Sequence, residues 1–243
     1  MFPIITCIIP TLNEELYIGK LLAHLHSCYE SSKVEFIVVD ARSTDRTREI
    51  AQHYNVSLID SQYRSRAHQL NLGARAAQSE IYYFVHADTI PPLCCFESVI
   101  DQVSKGSQIG GFRFKFDSDR WILQFNSYLT RFNLKSFRGG DQTIFITKKH
   151  FEALNGFNEY YTVMEEYDLM KRSASMGEKY TLVQKDVMVS ARKYAENSWL
   201  RVNFANVVAM YRFNKGVAPD LIKKGYSAML QHKIIGYQNH EKS

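Results

Sequence analysis

Ile81-Tyr-Tyr-Phe-Val-His-Ala-Asp-Thr89 decides how the chain reads, because an apolar run stops there at a histidine and a carboxylate. Residues 81–85 are short, β-branched and aromatic, with Ser79 before them and Pro91-Pro92 after, the pattern of a buried central strand. In an open parallel sheet ligands bind beyond the carboxyl ends of the strands, which would put Asp88 where chemistry happens. The alternative is structural: Asp88 caps a helix that starts near Leu93.

Working towards the N-terminus, the same signature recurs. Residues 4–9 form an apolar run closed by Pro10, and an amphipathic stretch from Asn13-Glu14 follows with Leu16, Ile18, Leu21, Leu22 and Leu25. Residues 35–39 end at Asp40 and the polar turn 41–45, before a helix over about Arg46 to His53. Val56 to Ile59 reads as a third strand, and Ser65 as the cap of a helix through Ala67, Leu70 and Ala74. Alternating strands and helices predict a parallel sheet with right-handed crossovers.

Towards the C-terminus the rhythm changes after about residue 105. Ile109 to Phe116 alternates like a half-exposed strand, and Gly139-Gly140 precedes a strand from Thr143 to Thr147, so mixed or antiparallel pairing is expected. Helices are expected at Lys148 to Leu154 and Glu165 to Met176, and separate strands at Tyr180 to Val183 and Val187 to Val189. From Ser198 to Phe213 apolar and aromatic residues surround Arg201 and Arg212, as in a helix packed on the core or, less favoured, lying on a membrane surface.

Bulk properties narrow the function classes. The 243 residues, 45% hydrophobic and 23% charged, are enough for one large α/β domain without staples. A net charge of +5 suits small anionic substrates or a lipid headgroup surface at least as well as nucleic acid. The basic residues are dispersed and accompany no recognised nucleic-acid motif, so no nucleic-acid partner is expected. Cys7, Cys28, Cys94 and Cys95 make no C-x-x-C pair and read as reduced thiols. With no signal-peptide pattern and no apolar run long enough to span a bilayer, a cytoplasmic chain is expected, surface membrane attachment staying open.

Two carboxylates at the ends of separate parallel strands, Asp40 and Asp88, suit a ligand with a hydrogen-bond donor edge and a metal-bound diphosphate, as a nucleotide sugar has. Mg²⁺ commonly shares one or two carboxylates with substrate phosphates, and His86 could add a nitrogen ligand to Mn²⁺. No G-x-G-x-x-G follows a strand and no G-x-x-x-x-G-K-[ST] occurs, which argues against dinucleotide redox and P-loop chemistry. The H-x-E and C-x-x-C signature of zinc deaminases is missing as well.

Pro10-Thr-Leu-Asn-Glu14, Val38-Val-Asp40-Ala-Arg-Ser-Thr-Asp45-Arg-Thr47, the Arg66, Gln69-Leu-Asn71 and Gly73-Ala-Arg-Ala segment, and His86-Ala-Asp88 together resemble the family 2 glycosyltransferases. Gly140-Asp-Gln142, Met164-Glu-Glu166-Tyr-Asp168-Leu169 and Ser190-Ala-Arg192 resemble a bacterial subfamily linked to arsenosugar-type biosynthesis. The resemblance spans about residues 4 to 225 and implies a glycosyltransferase A-type fold. That is a single three-layer α/β/α domain with a mostly parallel Rossmann-like sheet extended by antiparallel strands, followed by C-terminal helices. Residues 1–105 would be the nucleotide-sugar-binding half, 106–195 the acceptor and catalytic half, and 196–243 the helices.

The resemblance further implies inverting transfer of a sugar from a nucleoside diphosphate to a hydroxyl acceptor, small or lipid-linked, with Mn²⁺ or Mg²⁺. Pro10 and Glu14 would line the nucleotide pocket, Asp40 would read the base, Ser43 and Asp45 would lie near the nucleoside, and Arg66 and Asn71 near the diphosphate or ribose. Asp88 matches the last residue of the D-x-D metal motif, whose first aspartate is His86 here. Glu165-Glu166 stand for the family's Glu-Asp pair, which makes Glu166 the base, with Glu165 and Asp168 beside it. Asp141, Gln142 and Arg192 would face the acceptor. Ala41-Arg42 also depart from the glycines usual in the second loop. A nucleotidyltransferase, or an inactive homologue that only binds nucleotide or lipid, is the competing reading.

Overall fold

The computed structural model describes residues 3–28, 33–124 and 143–230. Its N-terminal part is built on three strands buried almost throughout, β1 (Ile5–Thr11), β2 (Val34–Asp40) and β4 (Ile81–Phe84), with the shorter β3 (Ser57–Asp60) at the rim. Unbroken apolar runs are what a parallel sheet covered on both faces demands. β1 pairs parallel with β2 and β4, and β2 with β3, in a register that sets Thr11 opposite Asp40. The crossovers are α1 (Ile18–Ser27), α2 (Thr47–Gln52) and α3 (Arg66–Ala76).

Alternation along β1 separates two cores. Ile5, Cys7 and Ile9 pack with Leu21, Leu22 and Leu25 of α1 on one face, and Ile8 packs with Ala67, Leu70 and Ala74 of α3 on the other. The α3 contact requires Gly73, because a Cβ there would stand 2.5 Å from Ile8 Cγ2. This close seat lets Gln69 donate to the carbonyls of Thr11 (2.9 Å) and Val39 (2.7 Å), tying the ends of the two strands that carry the site.

Beyond β4 the sheet changes direction. β7 (Ile144–Thr147) pairs antiparallel with β4, β6 (Ile109–Asp117) antiparallel with β7, and β8 (Thr181–Ser190) parallel with β6. The short β5 (Thr89–Ile90) pairs antiparallel with β8 and completes the order β3-β2-β1-β4-β7-β6-β8-β5. The β5 pairing brings the end of β8 to Asp88, whose carbonyl accepts from Ser190 N at 3.3 Å. Helices α4 (Cys95–Ser104), α5 (Lys148–Ala153), α6 (Glu165–Ser175) and α7 (Lys193–Glu196) surround the sheet. The hairpin of α8 (Trp199–Asn214) and α9 (Pro219–Met229) packs Ala209, Phe213 and Ile222 on Tyr161, Val163, Met164 and Tyr167, around the start of α6.

Several expectations are corrected. The first helix starts at Ile18 and not at Asn13, since Asn13 takes a left-handed backbone (φ 56°) and Leu16 lies outside the helix, 80% exposed. The two strands expected between Tyr180 and Val189 are one, β8, because a register shift against β6 between Phe112 and Arg113 absorbs the polar residues Gln184 and Lys185. Asp88 does not cap α4, which starts at Cys95 with no side-chain cap. No helix among the described residues is long and apolar enough to cross a membrane.

Candidate active site

Three clusters gather where β1, β2, β4 and β8 end. The first is built on Asp40, whose side chain is fully buried. Its Oδ1 accepts from Ser43 Oγ (2.5 Å) and Thr11 Oγ1 (3.1 Å), its Oδ2 from Ser43 N (2.8 Å), and Arg48 Nη1 lies 3.5 Å away. Arg48 also pairs with Asp60 at the rim. Arg42 keeps the left-handed backbone (φ 60°) that a glycine would adopt at no cost, so the second loop turns sharply despite its side chain. Asn13 faces it, its N–H donating to Ser43 Oγ (2.8 Å) and its side chain accepting from Thr44 N (2.8 Å). Asp45 accepts from Glu15 N (3.1 Å) and from Thr47 N (3.0 Å), locking the first loop to the second. Two strained loops are therefore braced against each other at the strand ends, the usual setting for a preorganised ligand site.

The second cluster centres on Arg192, just past β8. Its guanidinium meets both Glu14 oxygens (3.1 and 3.2 Å) and Asp88 Oδ2 (3.1 Å), and stands over the Tyr17 ring at 5.2 Å. Burial raises the Glu14 carboxyl above its ordinary value, with Asp88 adding to the rise and Arg192 and His86 opposing it. Two carboxylates thus converge on one cation.

In the third cluster, α6 opens at Met164, whose left-handed backbone (φ 69°) turns Glu165 and Glu166 inwards, where both are buried. Arg66 Nη1 from the first turn of α3 lies 3.2 Å from Glu165 Oε1 and 3.5 Å from Glu166 Oε1, and His86 Nε2 lies 3.4 Å from that same Glu166 oxygen. Burial raises Glu165 to about 7, helped by the charge of Glu166, and its Oε2 is a buried atom with no hydrogen-bond partner among the described residues. Burial alone would raise Glu166 too, but His86 and Arg66 outweigh it and hold Glu166 below the ordinary carboxylate value. The two neighbouring carboxyls are thus shifted in opposite directions, Glu165 up and Glu166 down, the separation expected when like charges share a pocket. Pro10 joins His86 and Glu166 in the wall of a small cavity between the strand ends and α6.

The second and third clusters are parts of one site, since His86 acts electrostatically on Glu14, Glu165 and Glu166 alike, and Glu14 N donates to Thr47 Oγ1 (2.7 Å), where the loop that carries the first cluster ends. Two expected members take other positions. Asp168 accepts from Arg172 Nε (2.7 Å), and Arg172 continues to the carbonyls of Leu154 and Gly156. Asn71 bonds the backbone of Phe157 in both directions (2.8 and 2.9 Å) and the Glu159 carboxylate (2.9 Å), pinning the segment that leads to α6. Asp141 and Gln142 lie outside the described residues. Lys223 of α9, which the sequence alone does not single out, reaches near enough to act on Glu165, and its own pKa is lowered by burial. Its only sequence signal is a basic residue in a helix 58 positions after Glu165, which is no signal at all.

Glu165 makes stability depend on pH in a defined sense. A carboxyl raised from 4.5 in the unfolded chain to about 7 in the folded one binds its proton more tightly when folded, so its contribution is complete below about 4.5 and is lost as pH rises through about 7. Thermal unfolding of the parent is expected to show that decline across this window. Glu165→Gln, which cannot ionise, is expected to flatten it, and an unchanged slope would show that Glu165 ionises freely in the folded state.

Asp88 and Glu14 offer the anionic oxygens a hard divalent ion takes, but both meet the Arg192 guanidinium, so an ion would have to bind beside that cation on their remaining lone pairs. Among the described residues no group of three or more His, Cys, Asp or Glu side chains forms a metal cage, so substrate phosphates would have to complete the coordination.

With this geometry in place, the comparisons with known proteins have a structural counterpart. Residues 6–155 match the sequence model of Glycosyl transferase family 2. A Methanococcus voltae protein, dolichyl N-acetyl-alpha-D-glucosaminyl phosphate 3-beta-D-2,3-diacetamido-2,3-dideoxy-beta-D-glucuronosyltransferase, is 27% identical over 95 residues, 36% of this chain and 30% of that one. The 4,4'-diaponeurosporenoate glycosyltransferase of Staphylococcus haemolyticus is 36% identical over 91 residues, 35% of this chain and 24% of that one. The aligned stretches therefore span less than a third of either relative. Among solved structures, the mannosyltransferase PcManGT from Pyrobaculum calidifontis in complex with GDP-Man and Mn²⁺ superposes with a TM-score of 0.68 at 20% identity, over 94% of this chain and 70% of that one. S. aureus TarS in complex with UDP-GlcNAc gives 0.66 at 17% identity, over 93% and 71%. These likenesses establish the glycosyltransferase A-type fold, a mixed α/β arrangement around one curled sheet. With the family model covering well over half of its length, the chain belongs to glycosyl transferase family 2.

Proposed function

We propose that this glycosyltransferase transfers a sugar, with inversion, from a nucleoside diphosphate to a hydroxyl acceptor, and that a divalent cation assists donor binding. The observation that carries the reading is that Glu166, buried yet held below the ordinary carboxylate value by His86 and Arg66, meets His86, two residues before Asp88 in the same loop. Glu166 takes the proton of the acceptor hydroxyl as that oxygen bonds to the anomeric carbon, while the bond from that carbon to the diphosphate breaks on the opposite face. His86 and Arg66 orient the Glu166 carboxylate, and Glu165 spares the pocket a second full negative charge. A cation held by Asp88, with Glu14 near, would neutralise charge on the departing diphosphate. Arg192 offers the same site a fixed positive charge.

In this reading Pro10, Glu14 and the braced loops bearing Asp40, Ser43 and Asp45 bound the nucleotide pocket. Asp40 contributes chiefly by fixing loop shape, its oxygens being engaged by Thr11 and Ser43. Residues 1–105 supply the nucleotide side, 106–195 the acceptor side, and the helices after 196 close against α6. A lipid-type acceptor is in keeping with the dolichyl and diaponeurosporenoate in the names of the two relatives.

Thermal unfolding in the presence of uridine and guanosine diphosphates and their sugars, with and without Mn²⁺, tests the donor side. At a hundredfold excess over Kd, a specific donor is expected to stabilise the fold by about 2.7 kcal/mol. Turnover is expected to release nucleoside diphosphate; release of pyrophosphate instead would identify a nucleotidyltransferase, and no stabilisation by any nucleotide would remove the reading altogether.

A further inference from the structure

Helix α8 carries two apolar faces, and only one has a partner among the described residues. Val202, Ala205, Ala209 and Phe213 are buried on the inner side. On the outer side, Leu200, Phe204, Val207 and Tyr211 follow each other at steps of four, three and four residues, a single line along a helix. They are 73%, 64%, 66% and 63% exposed. A surface helix ordinarily turns polar residues to water, and scattered exposed apolar side chains need no explanation, but a continuous row of four does.

We infer that this outer face of α8 docks the enzyme on an anionic lipid bilayer, with the active site beside the membrane surface. The row is about 16 Å long and one helix, about 10 Å, wide. That footprint is far below the roughly 800 Å² per partner of a stable protein dimer, whereas an interfacial helix needs only such a stripe, sunk about 5–10 Å into the headgroup boundary. The charge also fits one occupant. From Trp199 to Met229 the hairpin carries Arg201, Arg212, Lys215, Lys223 and Lys224 against the single acid Asp220, and α8 itself has no acidic residue. Lys215 is exposed, with its Nζ 5.8 Å from the centre of the Tyr211 ring, so an aromatic with a polar tip and a cation close the C-terminal end of the row, a combination suited to headgroup depth.

Docking in this way has a catalytic consequence. The inner face of the same hairpin packs on Tyr161, Val163 and Met164, which lead into Glu165 and Glu166. A bilayer under α8 is therefore separated from the segment that leads into the carboxylates by one helix, about 10 Å across, a span that a membrane-anchored acceptor has to bridge. This last step rests on the glycosyl-transfer reading; the docking itself does not.

The test uses the full chain, without donor, in sedimentation with vesicles of phosphatidylcholine containing phosphatidylglycerol and with vesicles of phosphatidylcholine alone. The parent is expected to pellet with the anionic vesicles, and the double variant Phe204→Glu, Val207→Glu to bind them about tenfold or more weakly, with an unchanged unfolding temperature because both side chains are exposed. Lys215→Glu, which leaves the apolar row intact, is expected to weaken binding to the anionic vesicles alone. A parent that stays in solution, or a double variant that binds as the parent does, overturns the inference. So does a parent that dimerises through this face, seen by light scattering as a dimer lost in the double variant, without vesicle binding. Because the readout is sedimentation, docking and glycosyl transfer stand or fall separately.

Discussion

Glu166→Gln is expected to lower turnover by about 10²–10⁴-fold, the range over which a positioned general base contributes, while donor affinity stays close to the parent's. The amide keeps the shape of the side chain and removes only its capacity to accept the acceptor proton. The ionised state of Glu166 is also what its neighbours stabilise, so Arg66 and His86 lose a charge partner in the variant. Glu166→Asp, which shortens the side chain to the family's usual length, is expected to retain part of the activity, because Arg66 already bridges the two positions and can follow a retreating carboxylate. Initial rates under saturating donor, alongside calorimetric donor affinity, separate the outcomes. Normal turnover in Glu166→Gln with loss in Glu165→Gln would move the base one residue. Loss in neither would place proton removal outside this pair.

Asp88→Asn is expected to weaken Mn²⁺-supported binding of nucleoside diphosphate on the order of 10²-fold, about 2.7 kcal/mol, through the loss of one anionic ligand to a phosphate-bound cation. Stability is expected to move little. Arg192 is 38% exposed and keeps its two contacts to Glu14, and partly exposed ion pairs contribute only about 0–1 kcal/mol. Calorimetry of nucleotide binding with and without Mn²⁺, set beside thermal unfolding, reads both quantities. If the metal enhances binding equally in parent and variant, Asp88 does not hold it, and the negative charge there serves Arg192 alone.

The parallel half of the sheet was legible because its information is local. Apolar runs ending at Pro10, Asp40 and His86 give strand, direction and the end at which the site forms. The acidic start of α6 was legible too, since three carboxylates in one turn are conspicuous in any sequence. Their roles were less so: Glu165 and Asp168 share a helical face by spacing, yet Asp168 turns to Arg172 while Glu165 and Glu166 both meet Arg66. A guanidinium one hundred residues upstream decides that, and periodicity carries no record of it. The same limit hid Lys223, the two-residue β5 and the structural duty of Asn71. Asn13 and Leu16 misled for a different reason, because helix-like spacing continued through a backbone that a left-handed residue had already broken.

The contact between Arg192 and Glu14 joins residues 178 positions apart, and this bears on the order in which the enzyme comes into being. A chain made from its N-terminus can close β1 to β4 early, since those pairings are comparatively local. At that stage Glu14 and Asp88 lack the cation that both meet in the finished fold, and on the proposed reading their joint negative charge would repel a diphosphate. Arg192 arrives only when β8 docks through β5, and it then offsets one of the two negative charges. On the proposed reading, donor affinity is therefore expected only of chains in which β8 has docked.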